Sequence, residues 1–295
     1  MRSKTKAFKI NSDKANSDKI NPYNRNPRRN KAKLIFLFIS TLIYFSSFAK
    51  NVFAESNQHK FLVVIDAGHG GEDSGASLLS IKEKDIALKV ALALQSLLKK
   101  DHDFKTIMTR NRDTFIPLDR RREIAEKESA DIFISIHANS SPTESARGTE
   151  FYFENQAATD EESQYLANRE NSETISLSKD VAGTKTENPD VNHILNDLTR
   201  NEHIQASKDL AQAMLDAFKK DLKVKTRAIR QAPFRVLGTG MPATLIELGF
   251  ISNHEEAEWL NHPKTQITAA HAILDGLKDF KNKLDRTNRK DSQEF

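Results

Sequence analysis

Three residues stand where an apolar run ends or is interrupted, a fourth stands where a helical pattern begins, and together they could do hydrolytic chemistry. His69 lies in "VVIDAGHGGEDSGA" (63–76), among Gly68, Gly70 and Gly71. Glu83 opens a helical pattern in "IKEKDIAL", and His137 closes the apolar run "DIFISIHA". Glu247 stands among Leu245, Ile246 and Leu248 in "ATLIELGFISN". Two imidazoles and one carboxylate can share a divalent ion and leave a fourth position for water, the pattern of a catalytic zinc site. A carboxylate in apolar surroundings has a raised pKa and suits general acid/base work, which is the role expected of Glu247. The chain has no cysteine, so any metal ligand must come from His, Asp or Glu.

Each residue also has a plainer reading. A histidine at a strand end can simply pack or hydrogen-bond, and a glutamate at a helix start can simply face the helix dipole. Glu247 also fits an acid at the exposed end of a strand. Asp66 reads equally as an acceptor behind a ligand imidazole or as an acid that ends its strand. Asn139 and the arginines Arg110, Arg120 and Arg121 are candidates for the rim of the site, with structural ion pairs as the alternative. His193, His203 and His271 fall in helical or polar contexts and read as structural or solvated.

The elements that would position these side chains alternate between strand and helix. Residues 61–65, 105–110, 131–138, 148–153, 234–237 and 243–248 read as strands, the first and third as runs buried on both faces. Helical spacing marks 82–98 (Ile86, Val90, Leu94, Leu97) and the face of Ala206, Leu210, Ala213 and Ala217. A charged helix is expected at 117–129 and a last one through Ile267, Ala270, Leu274 and Leu277, with 285–295 as a frayed tail. This predicts an α/β fold: a single, mostly parallel sheet flanked by helices on both faces. Ligands of such sheets gather beyond the carboxyl ends of the strands, where His69 and His137 would both lie. The polar stretch 154–200 breaks the alternation, with two weak helical patterns near 160–172 and 191–199.

Charge is uneven along the 295 residues. The net of +4 comes from residues 1–33, which hold eleven Lys/Arg and two acids, so the remainder carries −5. The basic character therefore gives no reason to expect nucleic-acid binding by the folded part. The uncharged run "LIFLFISTLIYFSSFA" (34–49) follows that basic segment. With a small-residue site ending at Ala54, residues 1–54 read as a secretory signal with a long n-region, and an uncleaved membrane anchor is the alternative. Either way the domain, residues 55–284, is expected outside the cytoplasm.

Taken together, "VVIDAGHGGEDSGA", "KEKDIAL", "TRNRD…PLDRR", "ADIFISIHANS", "GTEFYF" and "ATLIELGFISN" resemble the zinc-dependent N-acetylmuramoyl-L-alanine amidases of type 3, in particular the cell-division amidases of Gram-negative bacteria. The resemblance covers about 61–154 and 201–280. It implies one Zn2+ held by His69, Glu83 and His137, with Glu247 as catalytic acid/base. It implies hydrolysis of the amide joining N-acetylmuramic acid to L-alanine of the peptidoglycan stem peptide, in the periplasm, during wall turnover and daughter-cell separation. Residues 154–200 resemble a regulatory insertion whose helix covers the cleft until an activator protein displaces it. Glu162, Glu170 and Glu173 are the candidate acids for the open zinc position, and a solvated surface excursion is the other reading of this segment. The expected protein is a monomer. Rival readings are a zinc peptidase cutting within the stem, a catalytically inactive wall-binding activator, and a native metal such as manganese or cobalt.

Overall fold

The computed structural model describes residues 60–172, 189–222 and 225–291. The leader expected at 1–54 lies outside them, and no helix of the described residues is long and apolar enough to cross a membrane.

Six strands form one sheet: β1 (Phe61–Ala67), β4 (Phe104–Met108), β5 (Ile132–Asn139), β6 (Thr149–Glu154), β7 (Thr226–Ala232) and β8 (Ala243–Phe250), in the order β4-β1-β5-β8-β6-β7. A short hairpin, β2 (Ser77–Leu78) and β3 (Ile81–Lys82), stands apart from it. Neighbours are parallel except β6 and β8, which run antiparallel. This is the mostly parallel α/β sheet expected from the alternation of strands and helices. The central strands β5 and β8 are buried at every residue, which is why their sequences read as unbroken apolar runs rather than alternating ones.

Strand alternation divides the core into two layers. Ile134, Ile136 and Ile246 face α1 (Glu83–Leu98), α4 (Pro189–Asp221), α5 (His254–Asn261) and α6 (Pro263–Asp291), meeting Val90, Leu94, Met214, Phe218 and Leu277. Phe133, Leu245 and Tyr152 face α2 (Leu118–Lys127) and α3 (Glu161–Asn171), meeting Leu118, Ala125, Leu166 and Ala167. His137 and Glu247 share the parity of Phe133 and Leu245, so both project on the α2/α3 side.

Four readings of the sequence are corrected. "FRVL" (234–237) is not a strand. After β7 the chain meets Pro233, which has no N–H for a ladder, and Arg235–Leu237 forms a 3-10 turn that buries Val236 and Leu237. The strand in this region is β7, half-buried at the sheet edge and carrying Arg227 and Arg230, as edge strands often do. The pattern near 191–199 and the face from Ala206 to Ala217 belong to one 33-residue helix, α4, which has proline only at its first position and no glycine. Helix α6 continues to Asp291 rather than fraying from 285. Lys281 pairs with Asp285 four residues on at 2.8 Å, and Arg289 donates to the Asp285 carbonyl. Ile267, expected on the apolar face of α6, is instead 53% exposed.

Candidate metal centre

The loop that follows β1 is held by two buried arginines. Arg110 donates from Nε to the Ala67 carbonyl and from Nη2 to those of Gly68 and Lys84. Arg121 donates to the carbonyls of Ala67 and His69 and pairs with Asp66 at 2.8 Å. Between them every carbonyl from Ala67 to His69 is fixed, and His69 is held at φ +58°, a left-handed conformation that non-glycine residues seldom adopt. Gly68 is required for a different reason: a Cβ there would overlap the His137 ring.

Asp66 is therefore not the acceptor behind an imidazole. It is fully buried and takes hydrogen bonds from Thr109, Ser135 and Arg121. Burial acts to raise its carboxyl, and Arg121 with the two hydroxyls outweighs this, leaving it below the ordinary value. Removing one partner of a buried pair strands the other charge, so Arg121→Ala is expected to lower stability by about 3–5 kcal/mol in guanidinium unfolding. A depressed carboxyl contributes stability that is present above its unfolded pKa of about 3.9 and is lost as pH falls through the lower folded value. The wild-type advantage over Arg121→Ala should therefore shrink in acid. Arg120, by contrast, is a surface residue paired with Glu123.

The three expected ligands converge. His69 Nδ1 is bonded to Asp73 Oδ2 at 2.7 Å, which turns Nε2 inward, 2.9 Å from Glu83 Oε1. The same oxygen lies 3.0 Å from His137 Nδ1 and accepts from the Ala138 N–H. Glu83 Oε2 accepts from the Ala76 N–H at 2.8 Å, so helix α1 presents its first side chain to the centre already oriented. Burial acts to raise the Glu83 carboxyl, but the two imidazoles overcome it and hold the group well below its ordinary value. A fourth group, a second acid, joins them from α3: Glu170 Oε2 lies 3.3 Å from His137 Nδ1 and 3.5 Å from His69 Nε2.

One ligand atom from each of His69, Glu83, His137 and Glu170 lies within 4.8 Å of the others, and all four residues are buried. Two carboxylates and two imidazole nitrogens aimed at one point suit a divalent cation better than one another, because Glu170 Oε2 has no hydrogen-bond partner among the described residues. The donor set is oxygen and nitrogen only, as zinc accepts.

Glu247 pairs in register with His137 on one side and with Glu150 on the other. It is fully buried, and neither carboxylate oxygen has a hydrogen-bond partner among the described residues. Burial first, then the charges of Glu83 and Glu170, push its pKa well above the ordinary value, against the opposing pull of Arg169.

Sequence reasoning did not single out Asp73, Arg169 or Glu150. Asp73 was legible in principle, four residues after His69 in a glycine-rich turn. Arg169 clasps Glu170 at 2.9 Å and donates to Ser140 O and Asn139 Oδ1. Asn139 in turn donates to Glu150, so it braces the site from behind. Of the three acids considered for the insertion, Glu170 reaches the centre, Glu162 pairs with Arg227 and Arg230 instead, and Glu173 lies outside the described residues. The centre opens into a cleft of about 750 Å³, walled by Tyr165, Arg169 and Glu170 of α3 and by Phe115, Pro117 and Ser140 opposite.

Fold and cluster thus define an α/β protein with a candidate metal centre at the carboxyl rim of its sheet. Residues 63–279 match the family Amidase_3, N-acetylmuramoyl-L-alanine amidase, and the chain belongs to that enzyme family. It is 36% identical over 224 residues to N-acetylmuramoyl-L-alanine amidase AmiC of Escherichia coli O6:H1, covering 74% of this chain and 52% of that one. The chain thus spans about half the length of that relative. Identity to AmiA of Escherichia coli K12 is also 36%, over 76% of this chain and 77% of the relative. Among solved structures, the catalytic domain of CwlV, an N-acetylmuramoyl-L-alanine amidase from Bacillus (Paenibacillus) polymyxa, superposes with a TM-score of 0.57 at 31% identity, covering 75% of this chain and 98% of that one.

Proposed function

We propose that the protein hydrolyses the amide between N-acetylmuramic acid and the L-alanine of the peptidoglycan stem peptide, with Zn2+ held by His69, Glu83 and His137. The observation that carries this reading is the juxtaposition of the ligand cluster with Glu247, a buried carboxylate of raised pKa. When bound, a divalent ion supplies Lewis-acid polarisation of the scissile carbonyl and a water acidic enough to react near neutrality. The chain supplies the proton handling. Glu247 takes a proton from the attacking water and returns it to the departing alanine nitrogen, and a raised pKa brings the carboxylate closer to the working pH for both transfers. Asp73 keeps the His69 proton on Nδ1 and leaves Nε2 as a lone-pair donor.

In this reading the state described is closed. Glu170 takes the fourth position that a catalytic site leaves to water, and Arg169 holds it there. Helix α3 is no solvated excursion, since Leu166 and Ala167 are buried in the core. An activator that draws α3 aside would open the cleft. The leader at 1–54 supports export, so the working location is the periplasm and the role is wall turnover and daughter-cell separation.

The test is metal analysis of the purified protein together with mass spectrometry of digested peptidoglycan. The expected products are whole stem peptides and uncut glycan strands, and His137→Ala is expected to lose both bound zinc and turnover. Fragments cut inside the stem, or a His137→Ala protein that keeps its metal and rate, would overturn the assignment.

A further inference from the structure

Glu162 does not approach the metal centre, yet it is held by two guanidinium groups. Arg227 grips it with both terminal nitrogens, at 2.9 and 3.2 Å, and Arg230 Nη1 adds a third contact at 2.9 Å. This fork is the geometry with which arginine recognises a free carboxylate. The arginines are themselves held from below. Glu150, fully buried, lies 3.0 Å from Arg227 Nη1 and 3.7 Å from Arg230 Nε, and the Arg227 guanidinium rests 5.3 Å from the centre of the Phe250 ring. Glu150 is also the cross-strand partner of Glu247. The arginine pair, on β7, therefore lies two strands from the acid/base on β8, with Glu150 on β6 between them.

Both acids that reach these arginines from above, Asp160 and Glu162, belong to α3 or its cap. If α3 moves away, Arg227 and Arg230 keep only Glu150 and carry a surplus positive charge toward the opened cleft. Glu162 and Glu170 are eight residues apart on one helix, an axial separation of about 12 Å. An extended peptide covers that distance in about three to four residues.

We propose that Arg227 and Arg230 form a carboxylate subsite for an acidic stem peptide, and that Glu162 fills it in the closed state as Glu170 fills the metal position. The inference rests on the amidase reading, which supplies the substrate class. It makes α3 a mimic of the substrate at two points: one acid at the reacting centre and one where a stem carboxylate docks.

Calorimetric titration of the full-length, zinc-loaded protein tests this, with the free tripeptide L-Ala-γ-D-Glu-diaminopimelate as one probe and its carboxyl-amidated form as the other. Glu162→Ala is expected to bind the acidic tripeptide about tenfold more tightly than the parent, as charge-assisted hydrogen bonds are freed for it. The amidated peptide is expected to show no gain. Adding Arg227→Gln and Arg230→Gln to Glu162→Ala should abolish the gain. Arg227→Lys, which keeps the charge but loses the fork, should weaken binding several-fold and serves where the double replacement does not fold. Equal binding of the acidic and amidated peptides, or binding indifferent to the arginines, would refute the subsite. Because turnover is not read, a protein that binds the acidic peptide through these arginines yet cleaves no muramoyl amide would count against the reaction and not against the subsite.

Discussion

Glu247→Gln is expected to retain its full complement of zinc while turnover of peptidoglycan falls by about two to four orders of magnitude, the usual contribution of a positioned acid/base. The two halves of this result separate ligand from proton carrier. Glu247 is absent from the group of ligand atoms that lie within 4.8 Å of one another, so amide for carboxylate leaves the ligands in place. The replacement is nearly isosteric, and it removes a negative charge crowded by Glu83 and Glu170, so the folded protein should be no less stable. Elemental analysis, single-turnover kinetics and thermal unfolding of the same preparation check all three statements. Undiminished turnover in Glu247→Gln would remove the residue from the reaction. Loss of zinc would make it a ligand instead.

A second large effect, of opposite sign, is expected at Glu170. Glu170→Ala should hydrolyse purified peptidoglycan roughly ten- to hundredfold faster than the parent with no other protein present. That range corresponds to loss of one charge-assisted contact of about 1.5–3 kcal/mol from the closed state. The neighbouring Arg169 would then lose its grip at 2.9 Å and hold α3 only through Ser140 and Asn139. A point substitution is a cleaner probe than deletion of residues 156–198. Deletion would cut into α4, which starts at Pro189, and would strip Leu166 and Ala167 from the core. Rates of parent and variant on the same peptidoglycan, with zinc content measured in each, decide the matter. A Glu170→Ala protein that is fully metallated and no faster than the parent would show that the acid does not restrain the enzyme.

Together the two substitutions assign opposite duties to two glutamates beside one centre. The assignment comes from their surroundings. Glu247 is rooted in a strand buried at every position and cannot leave. Glu170 is carried by an eleven-residue helix that gives Leu166 and Ala167 to the core and is otherwise held by polar contacts, among them the ion pairs of Glu162 with Arg227 and Arg230 of the half-buried edge strand β7. Exposed ion pairs contribute little net stability each, so α3 is the element of this face that can be exchanged for another ligand at modest expense.

The sequence by itself determined five of the six strands of the sheet, its helical cover and the residues that converge at the rim. Each of these leaves a local signature. A strand buried on both faces is an apolar run, and His69, His137 and Glu247 are visible because they break such runs. Glu83 is visible because it starts a periodic helix. What the sequence left open depends on which distant surfaces meet. Three acids of the insertion were equivalent as text. Only the docking of α3 carries Glu170 to the imidazoles and Glu162 to a pair of arginines in β7, a strand whose charged, half-exposed residues give no apolar pattern to read. Arg110 and Arg121 read, like Arg120, as rim residues or structural ion pairs, and only the fold turns these two inward to bind the carbonyls around His69. Spacing along the chain records what one element needs for its own burial, whereas the pairing of charges across elements is set by the packing of the whole, and that is decided in three dimensions.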